Sequence, residues 1–350
     1  MKKGFTLLLA VAMLALFVLP SAVLAEEEKV LNVLTWEGYI DGDTIINPFT
    51  AETGIKINYA TFSSNEEMLT KLQAVDGGEY DIILASDYVL GTAREAGLLL
   101  PLSKDLLPNF ANIKEGFLNQ GFDPESAYVV PYIGGTPLIV YDPALVDFEI
   151  TGYEDLWNPA LKDSIVVMDD ARNIIGITLK TLGQSFNTTD REILAQAKEK
   201  LMQLRGNIRV FDYDTADQQM LSGETTVGYM FTPHVVTTLA ERPDMKVVYP
   251  KEGVGIGIDG LVIPVRAPHP ENAHLFLDFL MRPEIAVHIA DVQMYTNANA
   301  AAEPLLPQTY VDNLAINIPA ERLDDAEFIE GLSVEDESFF QEIWMEFKQQ

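Results

Sequence analysis

The sequence predicts an α/β fold in which a mostly parallel sheet carries helices on both faces. Short apolar, strand-like runs alternate with amphipathic helical segments along nearly the whole chain, a pattern typical of βαβ units. The 350 residues suit a short leader followed by two ordinary domains. Because neither an internal repeat nor a low-complexity linker separates the halves, we expect the chain to cross between the domains more than once.

The first 25 residues are typical of a cleaved secretory signal peptide. Lys2 and Lys3 precede an apolar run from Phe5 to Leu19, and the segment closes on Val23-Leu24-Ala25, a pattern that signal peptidases recognise. The run is shorter than the roughly 20 residues of a membrane span. We therefore expect export to the periplasm with cleavage near Ala25; an uncut anchor is the alternative. The lack of cysteine excludes disulfides and a lipid anchor on an N-terminal cysteine.

The chain is strongly acidic, with a formal net charge of −30. Such a surface opposes binding to nucleic acid and to anionic membranes, and its long-range field attracts cations. The alternative is that the acidity only keeps an exported protein soluble. Charge by itself therefore excludes partners better than it identifies one.

The apolar periodicity and the helix signals place the elements of the first part of the chain. The predicted strands are Val30 to Leu34, Ile55 to Ala60 and Tyr80 to Leu84. The predicted helices are Ile45 to Thr53, stopped by Gly54, and Met68 to Val75, opened by the capping box Ser64-x-x-Glu67.

The same alternation continues through the rest of the chain. The predicted strands are Pro137 to Tyr141, Ser164 to Met168, Ile208 to Phe211, Thr226 to Met230, Lys246 to Tyr249 and Gly260 to Val265. The predicted helices are Ala171 to Leu182, a helix capped by Thr189-x-x-Glu192, Glu271 to Met281, and Pro283 to about Val292.

Catalytic and cofactor motifs are missing from the sequence. It contains no Gly-x-Ser-x-Gly elbow, Walker loop or His-Glu-x-x-His, and its four histidines lack ligand spacing. The run GVGIGIDG, from Gly253 to Gly260, leads into a strand, whereas a dinucleotide fingerprint opens a helix. We interpret its glycines as a hinge or a pocket wall, and predict neither a cofactor, a bound metal nor an enzyme.

Four predicted strands end in acidic, aromatic or hydroxyl side chains. These ends are Trp36-Glu37-Gly38-Tyr39, Ala85-Ser86-Asp87-Tyr88, Asp169-Asp170 and Phe231-Thr232-Pro233. In open parallel sheets ligands bind beyond the carboxyl ends of the strands, so we expect these ends to converge on one cleft. Aromatic faces with carboxylates are what a desolvated ammonium requires. For any single aromatic, ordinary packing is an equally good explanation.

Over nearly its whole mature length the chain resembles the periplasmic spermidine/putrescine-binding proteins of polyamine ABC transporters. The resemblance is carried by WEGYI, FTAETGIKINYATFSSNEEM, YDIILASDYV, VPYIGGTPLIVY, DLWNPALKDSIVVMDDAR, VVYPKEG and LDFLMRPEIA. It implies the two-domain periplasmic binding protein (Venus-flytrap) fold with a ligand cleft between the domains. One domain would comprise residues 26–134 plus 258–303, the other residues 135–257 plus 304–350.

The resemblance also implies binding residues at matching positions. Those that keep the family's chemistry are the stacking Trp36, the polar Ser86, the aromatic Tyr88 and Tyr295, and the carboxylates Asp170 and Asp259. Phe231 stands where a tryptophan is usual, which retains an aromatic face but weakens cation–π attraction.

Other positions depart from the family pattern. Asn173 stands where glutamate is usual, Gly257 where a tryptophan is expected, and Ile329 where a glutamine is expected. The acid Glu37 lies one place earlier than usual and could point away from the cleft, whereas Tyr39 could belong either to the pocket or to the packing around it.

We therefore expect a periplasmic polyamine-binding protein that delivers putrescine or spermidine to the membrane permease of an ABC transporter, as a monomer. Another cationic or zwitterionic amine is the first alternative. A ferric-ion site built from Tyr39, Tyr88 and Tyr295 is a weaker one. An adhesin or sensor that also binds solute would have the same sequence features.

Overall fold

The computed structural model describes residues 28–319, 321, 323 and 325–350. The predicted signal peptide lies outside these residues. The strands, in chain order, are β1 (Val30–Thr35), β2 (Lys56–Thr61), β3 (Ile82–Ser86), β4 (Val130–Gly135), β5 (Leu138–Tyr141), β6 (Ile165–Val167), β7 (Ile208–Phe211), β8 (Val227–Met230), β9 (Lys246–Val248), β10 (Gly255–Val262), β11 (Thr296–Asn297) and β12 (Glu327–Phe328).

The α-helices surround these strands. In chain order they are α1 (Asn47–Thr53), α2 (Asn65–Ala74), α3 (Asp87–Glu95), α4 (Ala171–Thr181), α5 (Arg191–Leu204), α6 (Ala216–Leu221), α7 (Thr232–Glu241), α8 (Pro270–Leu280), α9 (Pro283–Gln293), α10 (Gln308–Val311) and α11 (Val334–Lys348). None of the helices in the described ranges combines the length and the apolar character that crossing a bilayer requires.

The strands form two separate sheets. The first has the order β11-β4-β10-β3-β1-β2, with β12 beside β10, and the second has the order β7-β6-β8-β5-β9. Both are mixed, so the prediction of a mostly parallel sheet was wrong. In the first sheet β10 runs antiparallel to both β3 and β4, because it returns to this sheet after the chain has built the second one. In the second sheet β5 is antiparallel to β8 and β9.

Most predicted elements are present with shifted ends. Strand β10 begins at Gly255 instead of Gly260, and α2 begins three residues earlier than predicted, because Ser64 Oγ accepts from Glu67 N at 3.2 Å. The predicted cap Thr189 was wrong: Asp190 caps α5 by accepting from the backbone of its first turn. Strand β4 was missed, since its proline and paired glycines resemble a loop.

Each sheet has its own core. On the first, Phe49 packs edge-on against Phe276 and Phe279 with ring centroids 4.9 and 5.4 Å apart. The second is covered on both faces: side chains of β5 alternate between two apolar clusters, with Ile139 in one and Val140 in the other. Burial on both faces explains why this strand reads as a continuous apolar run.

The chain passes between the sheets at several points. The β4–β5 connection is fixed where Thr232 Oγ1 donates to Thr136 O at 3.0 Å. Strand β12 pairs with β10 of the first sheet, yet its Glu327 binds Lys180 of α4 at 2.7 Å. The predicted domain boundaries stay a proposal. Strand β10, which begins at Gly255, and strand β12 both belong to the first sheet.

Candidate functional site

A cavity of about 80 Å³ lies between the two sheets, at the ends of their strands. Its lining residues are Trp36, Tyr39, Asn65, Ser86, Asp87, Tyr88, Gly135, Pro137, Asp170, Arg172, Asn173, Tyr213, Phe231, Gly257, Asp259, Tyr295 and Ile329. Ten of the eleven predicted binding residues are among them. The structure therefore brings together predicted residues that lie up to 259 positions apart in the chain, from Trp36 to Tyr295.

Asp259 is the carboxylate contributed by the first sheet. It lies on β10 directly opposite Ser86 of β3, whose Oγ donates to Asp259 Oδ1 at 2.8 Å. Tyr39 Oη donates to the other carboxylate oxygen at 3.1 Å. Burial raises the pKa of Asp259 to about 6, although the two hydrogen bonds act in the opposite direction. The group is held in place before a ligand arrives, and it is poorly solvated.

Asp170 is the carboxylate contributed by the second sheet. It follows β6 and forms the N-cap of α4, where its Oδ1 accepts from Asn173 N at 2.8 Å and from Asn173 Nδ2 at 3.1 Å. Burial raises the pKa of Asp170, and the two bonds from Asn173 lower it. The amide oxygen of Asn173 is buried without a hydrogen-bond partner. This end of the cavity thus offers a carboxylate and a free neutral acceptor side by side.

Aromatic rings from both sheets form the walls. Trp36 and Tyr39 lie with ring centroids 5.0 Å apart, and Tyr213 and Phe231 lie 5.2 Å apart. Tyr295 packs over Gly135, where a Cβ would come within 2.6 Å of the ring. Because a ring face attracts a cation, walls of this kind suit an ammonium or its methylene chain.

The polar part of the wall is a hydrogen-bonded group around Tyr88. Asn65 Nδ2 donates to Tyr88 Oη at 2.8 Å and to Ser86 Oγ at 3.3 Å. Tyr88 Oη in turn donates to Glu66 Oε1 at 3.3 Å. Asn65 immediately follows the cap of α2, so the local sequence reads as a helix start and gives no sign of a binding residue.

Comparison with known proteins identifies the family. A family model described as a bacterial extracellular solute-binding protein matches residues 44–316. The chain belongs to the bacterial extracellular solute-binding protein family. This solute-binding protein is 34% identical over 329 residues to the spermidine/putrescine-binding periplasmic protein of Salmonella typhimurium, covering 94% of each chain. It is 30% identical over 340 residues to the putrescine-binding periplasmic protein PotF of Escherichia coli, covering 91% of this chain and 90% of PotF.

Solved structures agree with this assignment. A chain from Listeria monocytogenes has a TM-score of 0.86 and 33% identity, over 92% of this chain and 99% of that one. The spermidine/putrescine ABC transporter substrate-binding protein PotD from Streptococcus pneumoniae has a TM-score of 0.79 and 31% identity, with the same coverage. The resemblance and the two-domain fold predicted from the sequence are thereby confirmed, with the cavity of this solute-binding protein between the domains.

Glu37 is the predicted residue that the structure leaves out of the cavity. It is exposed and lines an adjoining cavity with Asp214 and His234. The turn after β1 explains this, because Tyr39 N donates back to Trp36 O at 3.4 Å, and the tight return brings the two rings together. Gly257 does line the cavity, and a Cβ there would meet no atom within 4 Å.

Arg172 and Asp87 are charged lining residues that were not among the predicted binding residues, although Asp87 belongs to the predicted strand end Ala85-Ser86-Asp87-Tyr88. Arg172, 3% exposed, donates from Nη2 to Glu330 O at 2.8 Å, while its Nε and Nη1 have no hydrogen-bond partner. Asp87 accepts from Ile258 N at 2.8 Å, and burial raises its pKa well above the ordinary value. Asp87 directly follows Ser86, and Arg172 lies two residues after Asp170. These neighbours could have indicated both residues.

The tyrosines do not favour a ferric site. Burial and the neighbouring carboxylate of Asp259 raise the pKa values of Tyr39 and Tyr295, and burial also raises that of Tyr88. Raised pKa values make it harder for these phenols to lose the proton that a metal ligand must lose. In the described part of the chain, no group of three or more His, Asp or Glu side chains is arranged to hold a metal ion.

Proposed function

We propose that this solute-binding protein captures polyamines, putrescine and/or spermidine, in the periplasm and delivers them to the membrane permease of an ABC transporter. The observation that carries the proposal is the pair Asp259 and Asp170. One half-buried carboxylate from each domain faces a single aromatic-walled cavity. A cation that binds both carboxylates would link the domains. Without a carboxylate partner, a buried cation would be too costly. The printed names of the relatives support the same solute class.

We propose as binding residues the lining set Trp36, Tyr39, Ser86, Tyr88, Asp170, Asn173, Phe231, Gly257, Asp259 and Tyr295. Ligand contact with both domains would favour closure, and the closed form would dock on the permease. We expect a monomer that catalyses no reaction.

A second candidate is a zwitterionic amine. Arg172 favours it, because two of its buried N–H groups have no acceptor and a ligand carboxylate would supply one. Glu337, Asp170 and Asp87 lie near enough to influence the guanidinium, so its charge is already partly balanced within the protein. For this reason we prefer the polyamine.

Titration calorimetry with the purified mature protein tests both candidates. We expect heat with at least one of putrescine, cadaverine, spermidine and spermine, and none with 4-aminobutyrate. If 4-aminobutyrate bound and none of the four amines did, the zwitterionic candidate would replace the polyamine.

The cellular location is a separate proposal. The family is extracellular and the relatives named above are periplasmic, which supports cleavage near Ala25. Intact-mass measurement of the protein released from the cell envelope should give a chain that starts near Glu26. A chain that retained residues 1–25 would support the uncut anchor.

A further inference from the structure

The charged side chains of the cavity limit how much ligand charge it can neutralise. Among the described lining residues the charged ones are Asp87, Asp170, Asp259 and Arg172. With all four ionised their sum is −2, and protonation of any carboxylate makes it less negative. Because burial of an uncompensated charge is very costly, a dication is the most highly charged ligand that this lining balances.

The two carboxylates with free acceptor capacity belong to separate hydrogen-bonded groups. Asp259 is held by Ser86 and Tyr39 of the first sheet, and Asp170 by Asn173 of the second. Asp87 already accepts from Tyr88 N at the start of α3 and from Ile258 N of β10, so it contributes charge more than a binding oxygen. The cavity thus presents two anionic positions.

The rest of the lining offers no carboxylate to an internal nitrogen. Gly257, Ile329, Pro137 and Phe231 are neutral and apolar, and Asn173 supplies an amide oxygen. Methylene groups fit such a surface, since burial of apolar groups is favourable. A secondary ammonium in the middle of the ligand would lose its hydration without gaining a charged partner.

We infer that the preferred solute is a short linear α,ω-diamine, with one primary ammonium on Asp259, the other on Asp170, and the methylene chain against the apolar lining. This inference rests on the proposed function and narrows it. A primary ammonium at Asp170 also satisfies the orphaned Oδ1 of Asn173. The volume of about 80 Å³ has room for several water-sized groups in a row.

Further acids lie outside the cavity. Glu66 and Glu337 line a separate, larger cavity of about 640 Å³ on the other side of Tyr88. Tyr88 lines both cavities and lies between them. Its Oη accepts a hydrogen bond from Asn65 and donates one to Glu66. Glu66 also lines a cavity of about 430 Å³ that shares Asp170 and Tyr88 with the ligand cavity. A triamine that used Glu66 would have to extend past Asp170 into this second cavity, and the Glu66→Gln variant below tests for that.

Calorimetric competition among putrescine, cadaverine, spermidine and 1-aminobutane tests the inference. We expect putrescine or cadaverine to bind at least tenfold more tightly than spermidine, and 1-aminobutane at least a hundredfold more weakly than the better diamine, because it leaves one carboxylate unpaired. Spermidine binding as tightly as the diamines would overturn the inference while leaving the polyamine function intact. Failure of every amine to bind would remove the function itself.

A charge-adding variant provides the second arm. Asn173→Glu places a third carboxylate beside Asp170, and the ratio of spermidine to putrescine affinity should rise at least tenfold. The matched control Gln203→Glu adds the same charge on the exposed face of α5 and should leave the ratio unchanged. A folded Asn173→Glu protein that still binds putrescine and shows an unchanged ratio would overturn the inference. So would a spermidine preference in the unmodified protein that Glu66→Gln or Glu337→Gln abolishes.

Discussion

At the scale of single residues, the cavity combines strong anchoring of each carboxylate with poor solvation. Asp259 accepts from Ser86 and Tyr39, yet its pKa is raised to about 6 because burial outweighs the two hydrogen bonds. A desolvated anion of this kind is destabilising in the empty protein, and it gains most when a cation enters. The same feature that favours binding therefore lowers the stability of the ligand-free form.

Replacing Asp259 with asparagine should separate these two effects. We expect Asp259→Asn to weaken amine binding at least a hundredfold, because the ligand charge then has no charged partner.

The same variant should change stability. A pKa difference of one corresponds to about 1.4 kcal/mol. Ionised Asp259, whose ordinary pKa is 3.8, thus destabilises the empty fold by up to about 3 kcal/mol above pH 6. The variant should accordingly melt at a higher temperature at pH 8. Calorimetry measures both quantities, and Asp291→Asn, an exposed position on α9, serves as the control. Unchanged affinity would place the ligand elsewhere.

The raised pKa of Asp259 also predicts how binding depends on pH. Protonation removes the charge that an ammonium requires, so affinity should be constant above about pH 7 and fall by up to tenfold for each pH unit below 6. Asp170, whose pKa is also raised, adds to the fall. Titrations in one buffer series from pH 5 to 8 measure this. An affinity that rises on acidification would contradict the assignment of carboxylates as ligand groups.

At the scale of elements, strand ends and helix starts supply the binding groups. Asp170 lies in the turn after β6 and caps α4, so one carboxylate has a structural role besides its proposed binding role. In the first sheet, the paired strands β4 and β10 place Gly135 opposite Gly257. These two glycines face different surroundings: Gly135 lies under the ring of Tyr295, whereas the space beside Gly257 is open.

Two substitutions at Asp170 should distinguish its roles. Serine is a good N-cap residue, so Asp170→Ser should change the free energy of unfolding by less than about 1 kcal/mol and still weaken binding strongly. Asp170→Ala removes the cap as well, and should cost about 1 kcal/mol more than serine. Urea unfolding and calorimetric titration measure the two. If the serine variant retained full affinity, the charge of Asp170 would have no part in binding.

The glycine pair offers a matched test of close packing. In Gly257→Ala the new Cβ meets no atom within 4 Å, so we expect a stability change of less than about 1 kcal/mol. In Gly135→Ala the Cβ would come within 2.6 Å of Tyr295, which must move, and both stability and affinity should fall. Thermal melts with and without putrescine compare the two. Equal effects would show that Tyr295 is not held by this contact.

At the scale of the whole molecule, the cavity exists because two sheets with separate cores face one another. Each sheet contributes a carboxylate and aromatic rings, and neither half of the lining encloses a ligand by itself. Strand β12 and the β4–β5 connection join the two parts. A ligand that contacts both parts must favour the closed arrangement over an open one, since its binding energy is complete only there.

Ligand binding should therefore compact and stabilise the protein. With putrescine in excess we expect a smaller radius of gyration in small-angle X-ray scattering, and at a hundred times the dissociation constant a stabilisation of about 2.7 kcal/mol. The Asp259→Asn protein at the same putrescine concentration is the control and should show neither change. A stabilised protein of unchanged radius would mean that closure precedes binding.

Local patterns in the sequence determined most of the secondary structure and most of the candidate site. Periodicity placed nine of the twelve strands of the described residues, because apolar runs depend on neighbours in the chain. The acids and rings at strand ends were visible for the same reason. The resemblance to known binding proteins added Asp259 and Tyr295, which no local pattern marked.

Tertiary structure decided the rest, because strand direction and side-chain environment depend on contacts between residues far apart in the chain. It made the sheets mixed when β10 returned from the second sheet. It turned Glu37 outward and brought in Asn65, Arg172 and Tyr213, whose local sequence looks structural. Burial, which no stretch of sequence states, raised the pKa of Asp259 and set the charge balance of the cavity.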